Sequence, residues 1–237
     1  MNTDMTLESN ISMWRERINE AAAKFGGAEI CAVTKTVDVE TINRARAAGI
    51  QTIGENRVQE LMSKIDALNP EYKIHLIGQL QTNKVKYIID RVDMIQSLDR
   101  DALAEEISRR AVQVGRVMPA LVQVNIAREP QKSGIDEDEL LAFIDRTRRL
   151  PGVRIEGLMA IMPFVDDPET IRPYFRRMRE WFDRLRDAGM DNVHMNVLSM
   201  GMSGDCIVAA QEGATMVRMG SALFGARPAK TSTIQEV

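Results

Sequence analysis

A lysine at the end of a short apolar run is the residue best placed for covalent chemistry. The run covers residues 28–35, AEICAVTK, between Gly26-Gly27 and Asp38, and it ends in Lys35. Such a bounded run predicts a strand of a parallel sheet that is covered on both faces. Its carboxyl end would open into the mouth of a sheet or barrel, where ligands bind and partial burial lowers the pKa of an amine. The neutral amine could then condense with a carbonyl, whereas the simpler interpretation is a solvated surface lysine.

Two loops rich in glycine and serine near the end of the chain could hold a phosphate group. They read SMGMS over residues 199–203 and RMGS over residues 218–221. Glycine lets backbone N–H groups approach an anion closely, and serine adds hydroxyl donors. Either loop alone could be an ordinary turn. Together, and opposite Lys35, they favour a ligand that joins an aldehyde to a phosphate.

The composition is that of a globular chain with no bias towards nucleic acid. The 237 residues include 31 basic and 34 acidic ones, for a net charge of -3, and form no long block of one charge. Binding of nucleic acid needs a basic surface, so we expect no nucleic-acid partner. The two histidines, His75 and His194, have no cysteine or carboxylate at metal-ligand spacing, so we expect no metal site.

We expect a cytoplasmic protein. The two cysteines, Cys31 and Cys206, lie in apolar runs and are too few for a disulfide framework, which favours a reducing compartment. The first residues, MNTDMTLE, carry acidic side chains and no apolar core, unlike a secretory signal. No stretch approaches the roughly 20 apolar residues of a membrane span, so we expect no membrane partner.

The alternation of strand and helix patterns predicts an α/β fold, a single (β/α)8 TIM barrel domain over residues 1–237. The predicted strands are residues 28–35, 51–56, 73–78, 94–98, 118–125, 155–161, 195–200 and 215–220. The predicted helices are an extra N-terminal helix over residues 7–24, then 38–46, 58–68, 83–89, a helix from 99 or 101 to 113, and 136–149, 169–188 and 203–211. Eight alternating units favour a closed barrel. An open doubly wound sheet is the alternative, although the first strand lacks the glycine-rich turn of a dinucleotide site.

The carboxyl ends of barrel strands meet at one mouth, so the residues there are expected to form the site. They are Lys35, Asn56, Gly78, Gln79, Ser97, Asn125, Met162, residues 199–203 and residues 218–221. Two more lysines, Lys84 and Lys132, follow the third and fifth strands. We interpret them as loop lysines rather than as receivers of a transferred ligand.

Seven short motifs, in order along nearly the whole chain, resemble those of the pyridoxal phosphate homeostasis proteins. They are AVTKT at residues 32–36, IGENR at 53–57, HLIGQLQTNK at 75–84, KSG at 132–134, GLMA at 157–160, LSMGMS at 198–203 and VRMGSALFG at 217–225. Each motif alone is common, but the ordered set is specific. Thr34 stands where serine is common in the family, and Gln79 where histidine is common. The family resembles the barrel domain of alanine racemase, which implies that fold and a pyridoxal 5′-phosphate (PLP) cofactor.

The resemblance implies a cofactor site built around Lys35. By this resemblance Lys35 forms a Schiff base with PLP, Arg218 approaches the pyridine nitrogen or the nearby phosphate, and Asn56 lies beside the ring. The positions that it implies for contact with the phosphate are Ser203, Gly220, Ser221 and, as a further position, Ser199.

An arginine at the ring nitrogen favours a carrier over an enzyme. PLP is an electron sink only when its ring nitrogen is protonated, and a fixed guanidinium opposes that protonation. A racemase of this barrel type needs a second base besides Lys35, and we expect no further domain to supply one. We therefore predict no catalytic residues, and a monomeric PLP carrier or buffer in vitamin B6 homeostasis. PLP-dependent apoenzymes and free amino acids are the further partners expected.

Two other functions stay open at the level of sequence. A PLP-dependent amino-acid racemase or lyase of low activity would use Lys35 as its base. A Schiff-base aldolase without a cofactor would need a carboxylate beside the lysine. Glu55 is the nearest candidate, and strand alternation turns it away if Asn56 faces the barrel interior.

Overall fold

Eight parallel strands close into a barrel in the computed structural model, which describes residues 6–225. The strands are β1 (Glu29–Val33), β2 (Thr52–Glu55), β3 (Lys73–Leu76), β4 (Met94–Leu98), β5 (Met118–Val124), β6 (Val153–Ala160), β7 (Val193–Ser199) and β8 (Met216–Met219). They pair in chain order, and β8 pairs with β1 to complete the circle. The predicted (β/α)8 barrel is therefore confirmed.

Helices alternate with these strands, and one more precedes them. They are α1 (Leu7–Ala21), α2 (Val39–Ala47), α3 (Val58–Lys64), α4 (Asp101–Gln113), α5 (Leu140–Thr147), α6 (Arg172–Asp187), α7 (Cys206–Gln211) and α8 (Ser221–Phe224). The extra N-terminal helix is α1, as predicted. Asp38 starts α2 by accepting the backbone N–H of Thr41 at 2.8 Å, which is the capping role expected of an aspartate there.

The connection between β3 and β4 differs from the prediction of a helix over residues 83–89. It is a 3-10 segment, Thr82–Tyr87, in which Val85 is the one buried side chain. A segment with a single buried residue lacks the apolar stripe that stabilises an α-helix against a sheet. The chain therefore turns tightly at this point of the barrel mouth.

Apolar side chains fill the space on both sides of the strands. The larger cluster lies between the strands and the surrounding helices and includes Phe143 and Phe175, both fully buried. Smaller clusters join side chains of several strands inside the barrel, which is filled by packing in folds of this kind. One contains Cys31 and Met216, and the other contains Met159. The barrel is thus closed by packing below its mouth.

Strand β6 depends on one glycine. Gly157 has φ of +150°, and the pairing of β6 with β5 and with β7 shifts register between Ile155 and Gly157. A Cβ atom at this position would overlap the backbone carbonyl oxygen of Val197 on the neighbouring strand. Only glycine adopts this conformation and permits this approach, so the GLMA motif has a structural reason for its first residue.

Among residues 6–225, no helix has the length and apolar character needed to cross a bilayer. The polar N-terminal residues and the polar tail read from the sequence lie outside the described residues.

Candidate functional site

Lys35 lies in the turn that follows β1. The strand ends at Val33, two residues earlier than predicted, and Lys35 and Thr36 form the turn. Cys31 and Val33 belong to the interior cluster of the barrel, and Lys35 continues this alternate row of side chains. Its side chain is half-buried and lines a mainly apolar cavity at the mouth.

A partly buried cluster of polar groups holds the turn on both sides of Lys35, and we call it the turn clamp. It consists of Thr34, Thr36, Glu55, Glu60 and Lys64. Lys64 Nζ lies 2.5 Å from Glu55 Oε1 and donates to the Thr34 carbonyl at 2.9 Å. The Thr34 hydroxyl also donates to Glu55, and the Thr36 N–H donates to Glu60 Oε1 at 2.5 Å. Thr36 has φ of +65°, which is unfavourable for a β-branched residue and is stabilised by these bonds.

The clamp contains an ion pair that is almost completely removed from water. The exposed fraction is 0% for the Glu55 side chain and 8% for that of Lys64. Burial raises the pKa of Glu55, while hydrogen bonds from Lys64 and Thr34 oppose the rise. Glu55 therefore points away from the cavity, as strand alternation predicted. Its carboxylate pairs with Lys64 and accepts the hydroxyl of Thr34 within the turn clamp.

Arg218 is the second cation of the site and is held from below by backbone and side-chain oxygens. Its Nη1 donates to the carbonyl of Ser199 at 2.9 Å and to the Ser199 hydroxyl at 2.7 Å, and its Nη2 donates to the Ala160 carbonyl at 2.8 Å. Burial lowers the pKa of Arg218 to about 10, so the guanidinium stays charged at neutral pH. No carboxylate among residues 6–225 forms an ion pair with it.

Ser199 does not line the cavity, contrary to its implied place beside a phosphate. Its side chain is fully buried, accepts a hydrogen bond from Arg218 and donates one to Gln96 Oε1 at 2.7 Å. Gln96 Nε2 in turn lies 2.9 Å from His75 Nδ1. Burial lowers the pKa of His75 to about 4, so the ring is neutral and accepts this bond. Ser199, Gln96 and His75 therefore orient Arg218 through the barrel interior.

The cavity at the mouth has a volume of about 290 Å³. Five of the seven cofactor residues expected from sequence line it: Lys35, Ser203, Arg218, Gly220 and Ser221. Much of the remaining lining is apolar and includes Val165, Ile171 and Met202. The site thus combines an amine, a buried guanidinium and two serine hydroxyls with surfaces against which an organic ring can pack.

Ser203 joins the two loops that were expected to hold a phosphate. The helix after β7 was predicted to begin at Ser203, but α7 begins after Asp205, and the Ser203 hydroxyl accepts the Ala222 N–H at 3.4 Å. Ala222 belongs to the first turn of α8, so the loops after β7 and β8 meet at this point. Ser203 nevertheless stays on the cavity wall, beside Ser221.

Asp205 is a cavity residue that the sequence reasoning missed. Its carboxylate accepts the Met202 N–H at 2.5 Å and so fixes the loop before α7. Burial raises the pKa of Asp205, and the nearby charge of Arg218 opposes the rise. An aspartate directly before a short helix is a recognisable capping signal, but that signal does not show that the side chain borders a ligand cavity.

Asn56 lies one strand away from Lys35, and the packing of Gly78 fixes its backbone. The pairing of Val33 with Gly54 places residues 35 and 56 at the same level of neighbouring strands. A Cβ atom on Gly78 would overlap the Asn56 carbonyl oxygen. Asn56 Oδ1 is buried and has no hydrogen-bond partner among the described residues, so it is available to a donor on a ligand. Asn56 lines a second recess rather than the cavity of Arg218.

The remaining candidates contribute less to this cavity. Lys132 donates to the carbonyl of Met162 at 2.9 Å and pairs with Glu129, so it is tied to the loop after β5. His194 lies on β7 with its side chain exposed. Within residues 6–225, no three His, Cys, Asp or Glu side chains are grouped so as to hold a metal ion.

The fold and site together define a class of protein: a parallel barrel whose mouth presents one lysine, one buried arginine and two serine-bearing loops to a single cavity. The family model described as the alanine racemase N-terminal domain matches residues 9–228. A pyridoxal phosphate homeostasis protein of Aquifex aeolicus is 45% identical over 217 residues, which cover 90% of this chain and 94% of the relative. The chain belongs to the pyridoxal phosphate homeostasis protein family.

Solved structures agree with this membership. PipY of Synechococcus elongatus, solved with PLP bound, superposes with a TM-score of 0.82 at 32% identity, covering 93% of this chain and 100% of PipY. Alanine racemase from Corynebacterium glutamicum gives a TM-score of 0.72 at 17% identity, covering 94% of this chain and 63% of the racemase. The second likeness shows the shared fold alone.

Proposed function

We propose that the chain binds pyridoxal 5′-phosphate through Lys35 and releases it unchanged, as a carrier or buffer in vitamin B6 homeostasis. The observation that carries the proposal is the convergence of Lys35, Arg218, Ser203 and Ser221 on one cavity. The PLP-bound structure of PipY, a relative over nearly the whole chain, supports it. The proposal treats residues 1–237 as a single domain that acts as a cytoplasmic monomer, with apoenzymes or free amino acids as further partners.

The residues of the cavity fit this cofactor. The Lys35 amine can condense with the cofactor aldehyde, which forms a C=N bond and releases one water molecule. Addition of water would break this bond and free the cofactor, and exchange with another amine would transfer the cofactor to that amine and free the lysine, in both cases without a change in its oxidation state. Ser203 and Ser221 supply hydroxyl donors for the phosphate, and the backbone at Gly220 lies on the cavity wall with no side chain in front of it.

The position of Arg218 favours retention of the cofactor over catalysis. PLP stabilises carbanions to the extent that its ring nitrogen is protonated. The buried, charged guanidinium of Arg218 disfavours a second positive charge beside it. Its bonds to Ser199 and Ala160 keep it from moving aside. A cofactor bound there would be retained with little activation.

A slow amino-acid racemase or lyase is the second candidate, and Asp205 is the observation that favours it. Burial raises the pKa of the Asp205 carboxyl, so this group can exchange a proton at a higher pH than an exposed aspartate does, and it lines the same cavity as Lys35. The cofactor-free aldolase has less support. Its expected carboxylate, Glu55, is engaged with Lys64 in the turn clamp.

One experiment distinguishes the PLP carrier from the slow racemase or lyase. The protein is loaded with PLP, freed of excess cofactor and mixed either with alanine or with an apo-aminotransferase. A carrier restores aminotransferase activity and leaves the optical rotation of alanine unchanged. Steady racemisation or breakdown of alanine that is lost in both Lys35→Ala and Asp205→Asn would contradict the carrier and establish the enzyme.

Replacement of Asp205 by asparagine is expected to strengthen PLP binding. The change removes a negative charge from a cavity that would hold a phosphate, and asparagine keeps an oxygen that can accept the Met202 N–H. We expect a gain in affinity on the order of threefold to tenfold at neutral pH. Spectrophotometric titration with PLP measures it.

The gain in PLP affinity of Asp205→Asn over wild type should depend on pH in one direction. Because burial raises the pKa of Asp205, the wild-type carboxyl becomes protonated and neutral as the pH falls through that raised value. The gain should therefore shrink towards acidic pH. If the gain in affinity grows as the pH falls, or if Asp205→Asn binds PLP more weakly than wild type at neutral pH, then Asp205 contributes to PLP binding.

A further inference from the structure

A second concavity lies at the barrel mouth beside the cofactor cavity, and we call it the polar recess. It has a volume of about 450 Å³. Its polar lining consists of Asn56, Arg57, Gln59, Gln79, Gln81 and Lys84. One apolar residue, Val58, completes the set. The lining therefore contains two cations, four primary amides and no carboxylate.

The two cations of the polar recess have no internal counter-charge. Arg57 and Lys84 form no ion pair with any carboxylate of residues 6–225. Elsewhere on the surface arginines such as Arg44, Arg46 and Arg91 each lie beside a carboxylate. Lys84 has its ammonium 5.7 Å from the ring of Tyr87, which leaves its hydrogen-bond donors unused. Two unpaired cations that face one concavity favour an anionic ligand.

The fold fixes this arrangement in place. Arg57 is the second residue after β2, and Lys84 lies in the 3-10 segment after β3, so both follow the ends of neighbouring strands. The close packing of Gly78 on the Asn56 backbone fixes the floor between them. Asn56 is level with Lys35 on the adjacent strand, which places the polar recess next to the cofactor cavity.

We propose that the polar recess binds the oxyanion group, carboxylate or phosphate, of a small polar molecule. The planar guanidinium of Arg57 can grip two oxygens of such a group, and Lys84 adds a second positive charge. The amide side chains of Asn56 and the three glutamines can satisfy the remaining polar atoms of the ligand. Arg57 is exposed, so the affinity should be modest, with a Kd on the order of millimolar.

The test is a calorimetric titration with two separate probes, glutarate and inorganic phosphate. Each probe is titrated into the protein without added cofactor and into protein whose PLP has been fixed by borohydride. The first arm does not depend on the cofactor, so a failure of the proposed carrier function leaves this test intact. Glutarate has no amine, so it cannot compete for the aldehyde. Arg57→Gln and Lys84→Gln remove one cation each, and Lys86→Gln is the matched control on the same 3-10 segment but outside the lining.

Saturable binding of either probe, weakened at least fivefold in Arg57→Gln and in Lys84→Gln and unchanged in Lys86→Gln, is the expected result. Binding of glutarate alone identifies a carboxylate ligand. Binding of phosphate alone, retained after the cofactor has been fixed, identifies a phosphate ligand. Absence of saturation by both probes up to about 50 mM overturns the proposal. An equal loss of affinity in Lys86→Gln also overturns it, because the binding would then be nonspecific.

Discussion

Replacing Lys64 with methionine should destabilise the protein by about 3–5 kcal/mol at neutral pH, because it leaves the carboxyl of Glu55 buried without its partner. Lys64 is also the group that holds the Thr34 carbonyl, one residue before Lys35. The variant should therefore retain PLP less well than wild type, even where it is folded. Urea unfolding measures the free energy, and dialysis of the loaded protein measures the retention.

Two controls distinguish the effect of breaking the buried Glu55–Lys64 ion pair from the effect of removing a lysine side chain. Lys86→Met removes an exposed lysine and should change the free energy of unfolding by less than about 0.5 kcal/mol. The double variant Glu55→Gln, Lys64→Met removes both charges and should recover most of the loss. If the double variant is as unstable as Lys64→Met, then lost packing rather than the stranded carboxyl explains the effect.

The destabilisation caused by Lys64→Met should depend on pH in a definite direction. Burial raises the pKa of Glu55 above the value of about 4.3 for an unfolded glutamate, so the folded chain holds this proton to a higher pH. The contribution of such a group to stability is fully present below the unfolded pKa and is lost as the pH rises through the folded pKa. Removal of Lys64 raises the folded pKa further. The difference in the free energy of unfolding between wild type and Lys64→Met should thus be largest at neutral and alkaline pH and become smaller as the pH falls.

Gly157→Ala should be at least as damaging, with a loss of several kcal/mol that shows as misfolding or a much lower Tm. The added methyl group would overlap the carbonyl oxygen of Val197, and the φ of +150° is unfavourable for alanine. Strand β6 also carries the Ala160 carbonyl that accepts from Arg218. Thermal unfolding and the yield of soluble protein measure the effect.

A second glycine offers a matched control. Gly204→Ala introduces the same methyl group where it would meet no atom within 4 Å. Its free energy of unfolding should stay within about 0.5 kcal/mol of wild type. A stable Gly157→Ala protein, with the strand register of β6 and β7 intact, would contradict the steric requirement for glycine at that position.

The sequence was sufficient to predict the barrel and most of its cavity, because both depend on local patterns. Strand and helix periodicity predicted eight units, and the convergence of strand ends then brought Lys35 and Arg218 together. The loops after β7 and β8 were recognisable from their glycine and serine content. Most of the predicted strands extended one or two residues too far at their carboxyl ends, because the point at which strand pairing stops is not marked by residue type; β1, for example, ends at Val33 and not at Lys35.

The rest of the site depends on contacts between distant parts of the chain, which no local pattern records. Ser199 was assigned to the phosphate, yet its hydroxyl meets Gln96, 103 residues away. Lys64 lies in a helix, and its bond to Thr34 spans 30 residues. Asp205 fell within the predicted helix 203–211, and nothing in the sequence placed it beside the cavity of Lys35. Each of these roles required the three-dimensional arrangement, whereas Lys35 followed from its place at a strand end.

The covalent role of Lys35 is the central claim, and one measurement tests it directly. The protein is incubated with PLP, its visible absorbance is recorded before and after borohydride, and the modified peptide is located by mass spectrometry. We expect an absorbance band that borohydride removes, a pyridoxyl group on Lys35, and no band in Lys35→Ala, with Lys132→Ala as the control that keeps it. A colourless wild-type protein, or a pyridoxyl group found on another lysine, would contradict this role.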